Sequence, residues 1–192
     1  MEAALVRAGR SVIATREPGG SPDAEAIRRL LIEGQANRWD AVGETLLFYA
    51  ARRDHVTKVI APALDLGTWV VCDRFADSTV AYQGYGRGLD LELIRTLDRL
   101  VTDQMRPDLT ILLDIDAAAG LARARGRNSL GGLESEARFE NEDLSFHERV
   151  RQGYLELAKG EPARFRIVDA SLQPEAVQKK LRQIVDGLLG ME

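Results

Sequence analysis

The chain has 192 residues, 45% of them hydrophobic and 29% charged, with a formal net charge of −4. That length gives one domain with a sizeable core, and the acidic balance argues against a nucleic-acid or membrane binder. The single Cys72 excludes an intrachain disulfide, and with only two histidines beside it a structural zinc site is not expected.

"MEAALVRAGR" (1–10) reads as the last turns of a helix that Gly9 ends. "SVIAT" (11–15) is a predicted strand, followed by a helix over about 22–33 with Pro22 in its first turn. A long helix is predicted over 43–66, then the strand "WVVCD" (69–73) and a helix over 89–104. The strand "LTILLD" (109–114), a helix over 116–125 and another over 143–159 come next. "FRIVD" (165–169) closes the strands, and Pro174 opens a last helix over 173–189 with Ser171 as its candidate cap. Each strand is short and rich in β-branched or other apolar residues. Their alternation with helices implies parallel strands and crossover connections, an α/β layered domain. "GRNSLGGLESEA" (126–137) breaks the rhythm. It is Gly/Ser-rich, charged and poor in large apolar residues, and is expected to form a mobile loop. No run approaches the ~18 apolar residues of a membrane span. No secretory signal opens the chain, so the expected compartment is the cytoplasm.

Open α/β sheets bind ligands beyond the carboxyl ends of their strands. After the first strand, Pro18-Gly19-Gly20 makes a turn that lets backbone approach a ligand, or is a plain strand-to-helix turn. The strands "WVVCD" and "LTILLD" are apolar runs that close on aspartate, Asp73 and Asp114. Asp114 can simply begin and cap a helix through Asp116. Asp73 is followed at once by Arg74, a planar donor fork suited to phosphate; the other reading of that pair is a structural ion bridge. Phe48 and Arg52 lie four apart on one helical face. They can stack on a flat base and bond its edge, or be a core residue and a solvated charge. Arg123, Arg125 and Arg127 alternate where a helix meets the glycine-rich segment, either to converge on phosphates or as a solvated basic run. His55 and His147 sit in polar contexts and are expected to face water, and Cys72 to be inert core.

Taken in order, "TREPGG", "LLFYAARRDH", "GTWVVCDRFADSTVAYQGYGRG", "RPDLTILLDID" and the arginine-rich loop resemble bacterial thymidylate kinases from about Gly9 onward. The resemblance implies phosphorylation of dTMP to dTDP with ATP and Mg²⁺. It implies a three-layer P-loop kinase fold with a parallel sheet, a lid and a homodimeric assembly, and no nucleic-acid or membrane partner. By the same resemblance Phe48 stacks on thymine and Arg52 reaches a thymine carbonyl. Arg28 and Arg74 hold the dTMP phosphate, Asp73 stands on the magnesium side, and Thr79, Tyr82 and Gln83 close around base and sugar. Arg123, Arg125 and Arg127 neutralise the transferring phosphoryl, and Asp169, Ala170 and Ser171 border the adenine.

One part of the family pattern is absent. No G-x-x-x-x-G-K-[ST] phosphate loop occurs in the 192 residues. The expectation is a single domain, 1–192, truncated at the N-terminus and lacking the central first strand, with 126–137 as its mobile lid loop. The missing strand would leave a gap between two neighbours, with costly unpaired backbone. This chain alone would then be inactive. Alternative readings are a non-catalytic dTMP-binding homologue and another P-loop nucleoside or nucleotide kinase.

Overall fold

The computed structural model describes residues 1–33, 38–131 and 138–190, with backbone alone for 127–131. Four strands form where the short apolar runs lie: β1 (Val12–Arg16), β2 (Trp69–Asp73), β3 (Thr110–Asp114) and β4 (Phe165–Asp169). β1 pairs with β2 in parallel, from Val12 opposite Trp69 to Arg16 opposite Asp73. β3 pairs with β4 in parallel, from Thr110 opposite Phe165 to Asp114 opposite Asp169. Among the described residues no ladder joins the two pairs.

The helices are α1 (Glu2–Arg7), α2 (Pro22–Ile32), α3 (Ala41–His55), α4 (Ala61–Asp65), α5 (Ala76–Thr79), α6 (Leu91–Thr102), α7 (Ala117–Gly131), α8 (Leu144–Gly160) and α9 (Pro174–Leu188). Their ends follow capping chemistry. The Asp40 side chain accepts from the Gly43 amide, and Asp143 accepts from the Phe146 amide at 2.7 Å. Gly9 ends α1 with φ of 73°, as its lack of a Cβ allows. Pro22 occupies the first turn of α2, where its missing N–H costs nothing.

Several expectations need correcting. The helix predicted over 43–66 is three consecutive pieces: α3, a π-type turn at Val56–Ile60, and α4. α5 and the π-type segment Val80–Gly86 that continues it lie where no helix was predicted. α7 runs on to Gly131, so residues 126–131 of the expected loop are helical, while 132–137 lie outside the described residues. Gln173, not Ser171, stands at the N-cap of α9; the Ser171 hydroxyl instead donates to Asp169 Oδ1 at 2.6 Å.

α8 packs along Val80–Gly86. The contact is close because a Cβ on Gly86 would sit 2.7 Å from the Phe146 ring, and only glycine avoids that clash. Ala81, Phe146 and Val150 are buried there, flanked by Tyr82, Phe139 and Tyr154. Burying a side chain of the size of Phe146 contributes about 1.5–3 kcal/mol. The same packing fixes Tyr82 and Gln83 beside the ends of β1 and β2.

Candidate active site

Parallel pairing sends the carboxyl ends of β1 and β2 to one edge, and the Glu17 amide extends the ladder by donating to the Asp73 carbonyl at 2.9 Å. A cleft opens beyond that edge. Arg28, Phe48, Arg52, Arg74, Thr79, Tyr82 and Gln83 all line it. These are the residues that the family resemblance assigns to the nucleoside monophosphate, and they come from α2, α3, the turn after β2 and the α5 segment.

Arg52 is only 2% exposed, so it is not a solvated charge. Its Nε donates to Glu17 Oε2 at 2.7 Å and its Nη1 to Thr79 Oγ1 at 3.0 Å. The guanidinium also lies over the Tyr49 and Phe75 rings. Burial opposes its charge, but Glu17 together with Tyr49 and Asp98 outweighs that and keeps the group protonated more firmly than usual. His55 is fully buried, which overturns the expectation that it faces water. Its Nδ1 is 3.1 Å from Glu17 Oε1 and its Nε2 is 2.7 Å from Thr15 Oγ1.

Arg74 follows β2 in the left-handed region, with φ of 67°. That turn takes the chain out of the sheet and aims Arg74 at the cleft, while Asp73 remains outside the lining. The Arg74 guanidinium lies 5.0 Å from the centre of the Tyr82 ring, and its carbonyl accepts from the Cys72 thiol at 3.0 Å. Burial pushes the Cys72 thiol up, away from thiolate, although the residue is only half-buried rather than core. Arg28 donates to the Pro18 carbonyl at 2.9 Å from the neighbouring wall. Three guanidinium groups, those of Arg28, Arg52 and Arg74, thus meet in one cleft of an acidic chain.

Phe48 faces Phe139 at 6.1 Å between ring centres, and Tyr82 meets Phe139 edge-on at 5.7 Å. Gln83 donates to Glu44 Oε1 at 3.0 Å. Glu44 is buried and also pairs with Arg138 at 2.9 Å and with Arg87. Glu17, Phe139 and His147 belong to the cleft and were not picked out from sequence. His147 was expected in water; its Nε2 is buried without a hydrogen-bond partner. Burial pushes its imidazole pKa down. Glu17 belongs to "TREPGG", where Pro18 and the two glycines carry the stronger local signal.

Asp73, Arg123, Arg125, Asp169, Ala170 and Ser171 are not among the residues that line this cleft. Arg123 donates to the carbonyls of Ala170 and Ser171 at 2.6 and 3.4 Å, fastening α7 to the turn after β4. Arg125 donates to the Glu140 carbonyl, and the Arg127 side chain is outside the described residues. Asp169 accepts from both the Ser171 amide and hydroxyl, which hold its carboxyl below the usual range. Among the described residues no three acidic, histidine or cysteine side chains gather as a metal cage. Asp73 is an exposed carboxylate with no side-chain hydrogen bond to a described residue. One such carboxylate suits Mg²⁺, which binds through one or two carboxylates plus substrate phosphates.

A thymidylate kinase family profile matches residues 1–181. The thymidylate kinase of Caulobacter vibrioides is 51% identical over 187 residues, covering 97% of this chain and 87% of that protein. That of Syntrophotalea carbinolica is 52% identical over 163 residues, covering 85% of this chain and 76% of its own. The crystal structure of thymidylate kinase from Ehrlichia chaffeensis superposes with a TM-score of 0.72 at 33% identity, covering 96% of this chain and 85% of that one. Cleft, parallel strand pairs and relatives agree, and the chain belongs to the thymidylate kinase family, the ATP:dTMP phosphotransferases.

Proposed function

We propose that the cleft binds dTMP, with the phosphate on Arg28 and Arg74 and the thymine against Phe48 and Arg52. The observation that carries this is the convergence of all seven assigned residues on one cleft. Thr79, Tyr82 and Gln83 close around base and sugar. Tyr82 holds the Arg74 guanidinium over its ring, so the phosphate meets a pre-oriented fork.

Transfer from ATP is in line and depends on positioning and charge neutralisation. Arg74 steadies the accepting phosphate, and Arg123, Arg125 and Arg127 bring positive charge from α7. Asp169, Ala170 and Ser171 border the adenine, tied to α7 by Arg123. Asp73 would hold Mg²⁺, which neutralises phosphate charge when bound.

The assembly we propose is a cytoplasmic homodimer, a reading supported by the exposed Val42 and Leu46 on α3. Among the described residues no helix is long and apolar enough to cross a membrane. A second reading applies to the chain as it stands. Its 192 residues contain no G-x-x-x-x-G-K-[ST] loop. They therefore bind dTMP without turning it over. Calorimetry with dTMP and with ATP tests both. Binding of dTMP without tight ATP binding is expected; no dTMP binding would overturn the assignment of the cleft.

A further inference from the structure

The Arg52 guanidinium is a planar fork of N–H donors. Its Nε is taken by Glu17 and its Nη1 by Thr79, with Asp98 4.0 Å from the same nitrogen. The Tyr49 and Phe75 rings pack against the group, which limits rotation. Its Nη2 makes no hydrogen bond to a described residue, and Arg52 lines the cleft. One edge of the fork is thus left for a ligand.

The orientation of that edge depends on Glu17. The Glu17 carboxylate is only 4% exposed and uses one oxygen for Arg52 and the other for His55. An ionised carboxylate only accepts, so His55 carries its proton on Nδ1. His55 Nε2 then accepts from the Thr15 hydroxyl. A chain of bonds therefore runs from Thr15 on β1 through His55 and Glu17 to Arg52. His55 has no room to turn, because it is fully buried and packs where a Cβ on Gly20 would stand.

We propose that His55 is a positioning residue for base selection: by fixing the Glu17 carboxylate it fixes which donor edge Arg52 presents to the nucleobase. This rests on the reading that Arg52 meets the base in the cleft. A fixed donor suits a pyrimidine with a carbonyl at C4 and opposes one with an amino group there. A site built to hydrogen-bond one group discriminates strongly against an analogue that leaves its polar groups unpaired. His55 touches neither base nor phosphate. Its effect passes through Glu17, so it belongs to specificity rather than to chemistry.

The test is calorimetry on the 192-residue chain with dTMP and with dCMP, together with thermal melts. The variants are His55→Leu, which removes both bonds, and His55→Asn, whose amide can donate near the Nδ1 position. His55→Leu is expected to weaken dTMP binding by roughly tenfold or more and to lower the dTMP-to-dCMP affinity ratio. His55→Asn is expected to recover much of that ratio. An unchanged ratio in His55→Leu overturns the proposal, as does a His55→Asn variant no better than His55→Leu. If His55→Leu does not fold, the near-isosteric Thr15→Val decides, since it removes only the hydroxyl that holds Nε2. A wild-type ratio in Thr15→Val then overturns the proposal. Failure of the wild-type chain to bind dTMP removes the reading of the cleft and this proposal with it. Wild-type binding with an unmoved ratio in the variants removes this proposal alone.

Discussion

Arg151 on α8 grips Asp114 at the end of β3 through two parallel hydrogen bonds, of 2.7 and 2.9 Å. The strand-end aspartates Asp114 and Asp73 are thereby separated in role. Asp114 is committed to a neighbouring helix, and Asp73 is exposed with no side-chain hydrogen bond to a described residue. From sequence alone both were acids at the end of an apolar run.

Asp114→Asn is expected to lower stability by about 0.5–1 kcal/mol, a modest figure because Arg151 is more than a third exposed and solvent screens the pair. Asp73→Asn is expected to leave the melting temperature unchanged. In a form given the phosphate loop of a relative, Asp73→Asn should raise the Mg²⁺ concentration needed for half-maximal rate and leave dTMP affinity alone. Melts and a magnesium series check both. Equal destabilisation by the two variants would count against this division.

Arg74 holds a backbone conformation that asparagine tolerates better. Arg74→Asn is therefore expected to stay within about 1 kcal/mol of the parent in stability, the lost contact with Tyr82 offsetting the relieved backbone. Its dTMP affinity should fall by about 1.5–3 kcal/mol, the worth of a charged hydrogen bond. Calorimetry beside a melt reads the two effects separately. A variant that loses stability and keeps affinity would reduce Arg74 to a structural role.

Gly20 has φ of 90°, and a Cβ there would meet the His55 ring and stand 2.6 Å from Thr15 Oγ1. Gly20→Ala is expected to cost at least about 1–3 kcal/mol through backbone strain alone. Gly126, with no described atom within 4 Å of its Cβ position and no positive φ, is the control. Denaturant unfolding of Gly20→Ala and Gly126→Ala compares them, and equal midpoints would contradict the packing described.

The chain as it stands is expected to show negligible dTMP kinase activity. Loss of one preorganised oxyanion donor already costs about 2.7–4 kcal/mol in a barrier, and a phosphate loop supplies several. An ADP-release assay with dTMP and ATP reads this directly. Ordinary kinase turnover would show that other residues cradle the ATP phosphates.

The His147 pKa is depressed below its ordinary value of 6.5, first of all by burial. The folded state therefore binds that proton less readily than the unfolded chain. The sign follows: stability is fully present above about pH 6.5 and declines as pH falls through the folded value. His147→Gln should flatten this decline relative to the parent between pH 7.5 and about 5.5. Melting temperatures across that window test it, and identical profiles for the two proteins would refute it.

The strands were legible because each is a short apolar run whose signal is local; β2 and β4 fall on the predicted residues. The cleft residues were legible through the order of their motifs. Val80–Gly86 was not. A glycine weakens a helical assignment by about 1 kcal/mol, and Gly84 and Gly86 serve contacts with Leu91 and Phe146, the latter distant in sequence. His55 escaped for a related reason. Its partners Glu17 and Thr15 are 38 and 40 residues away, and polar neighbours in the chain say nothing of burial in space. α7 outran its prediction because glycine and serine lower helix propensity without forbidding a helix that is already propagating.

The separate strand pairs have a consequence for handling the molecule. Each two-stranded ladder has two edges and, among the described residues, no third strand. A bare edge offers a row of backbone donors and acceptors to any extended chain that drifts past, including another copy. Concentrated samples should therefore gain β-rich, thioflavin-binding material with time, and short storage at low concentration is the condition under which the cleft is best measured.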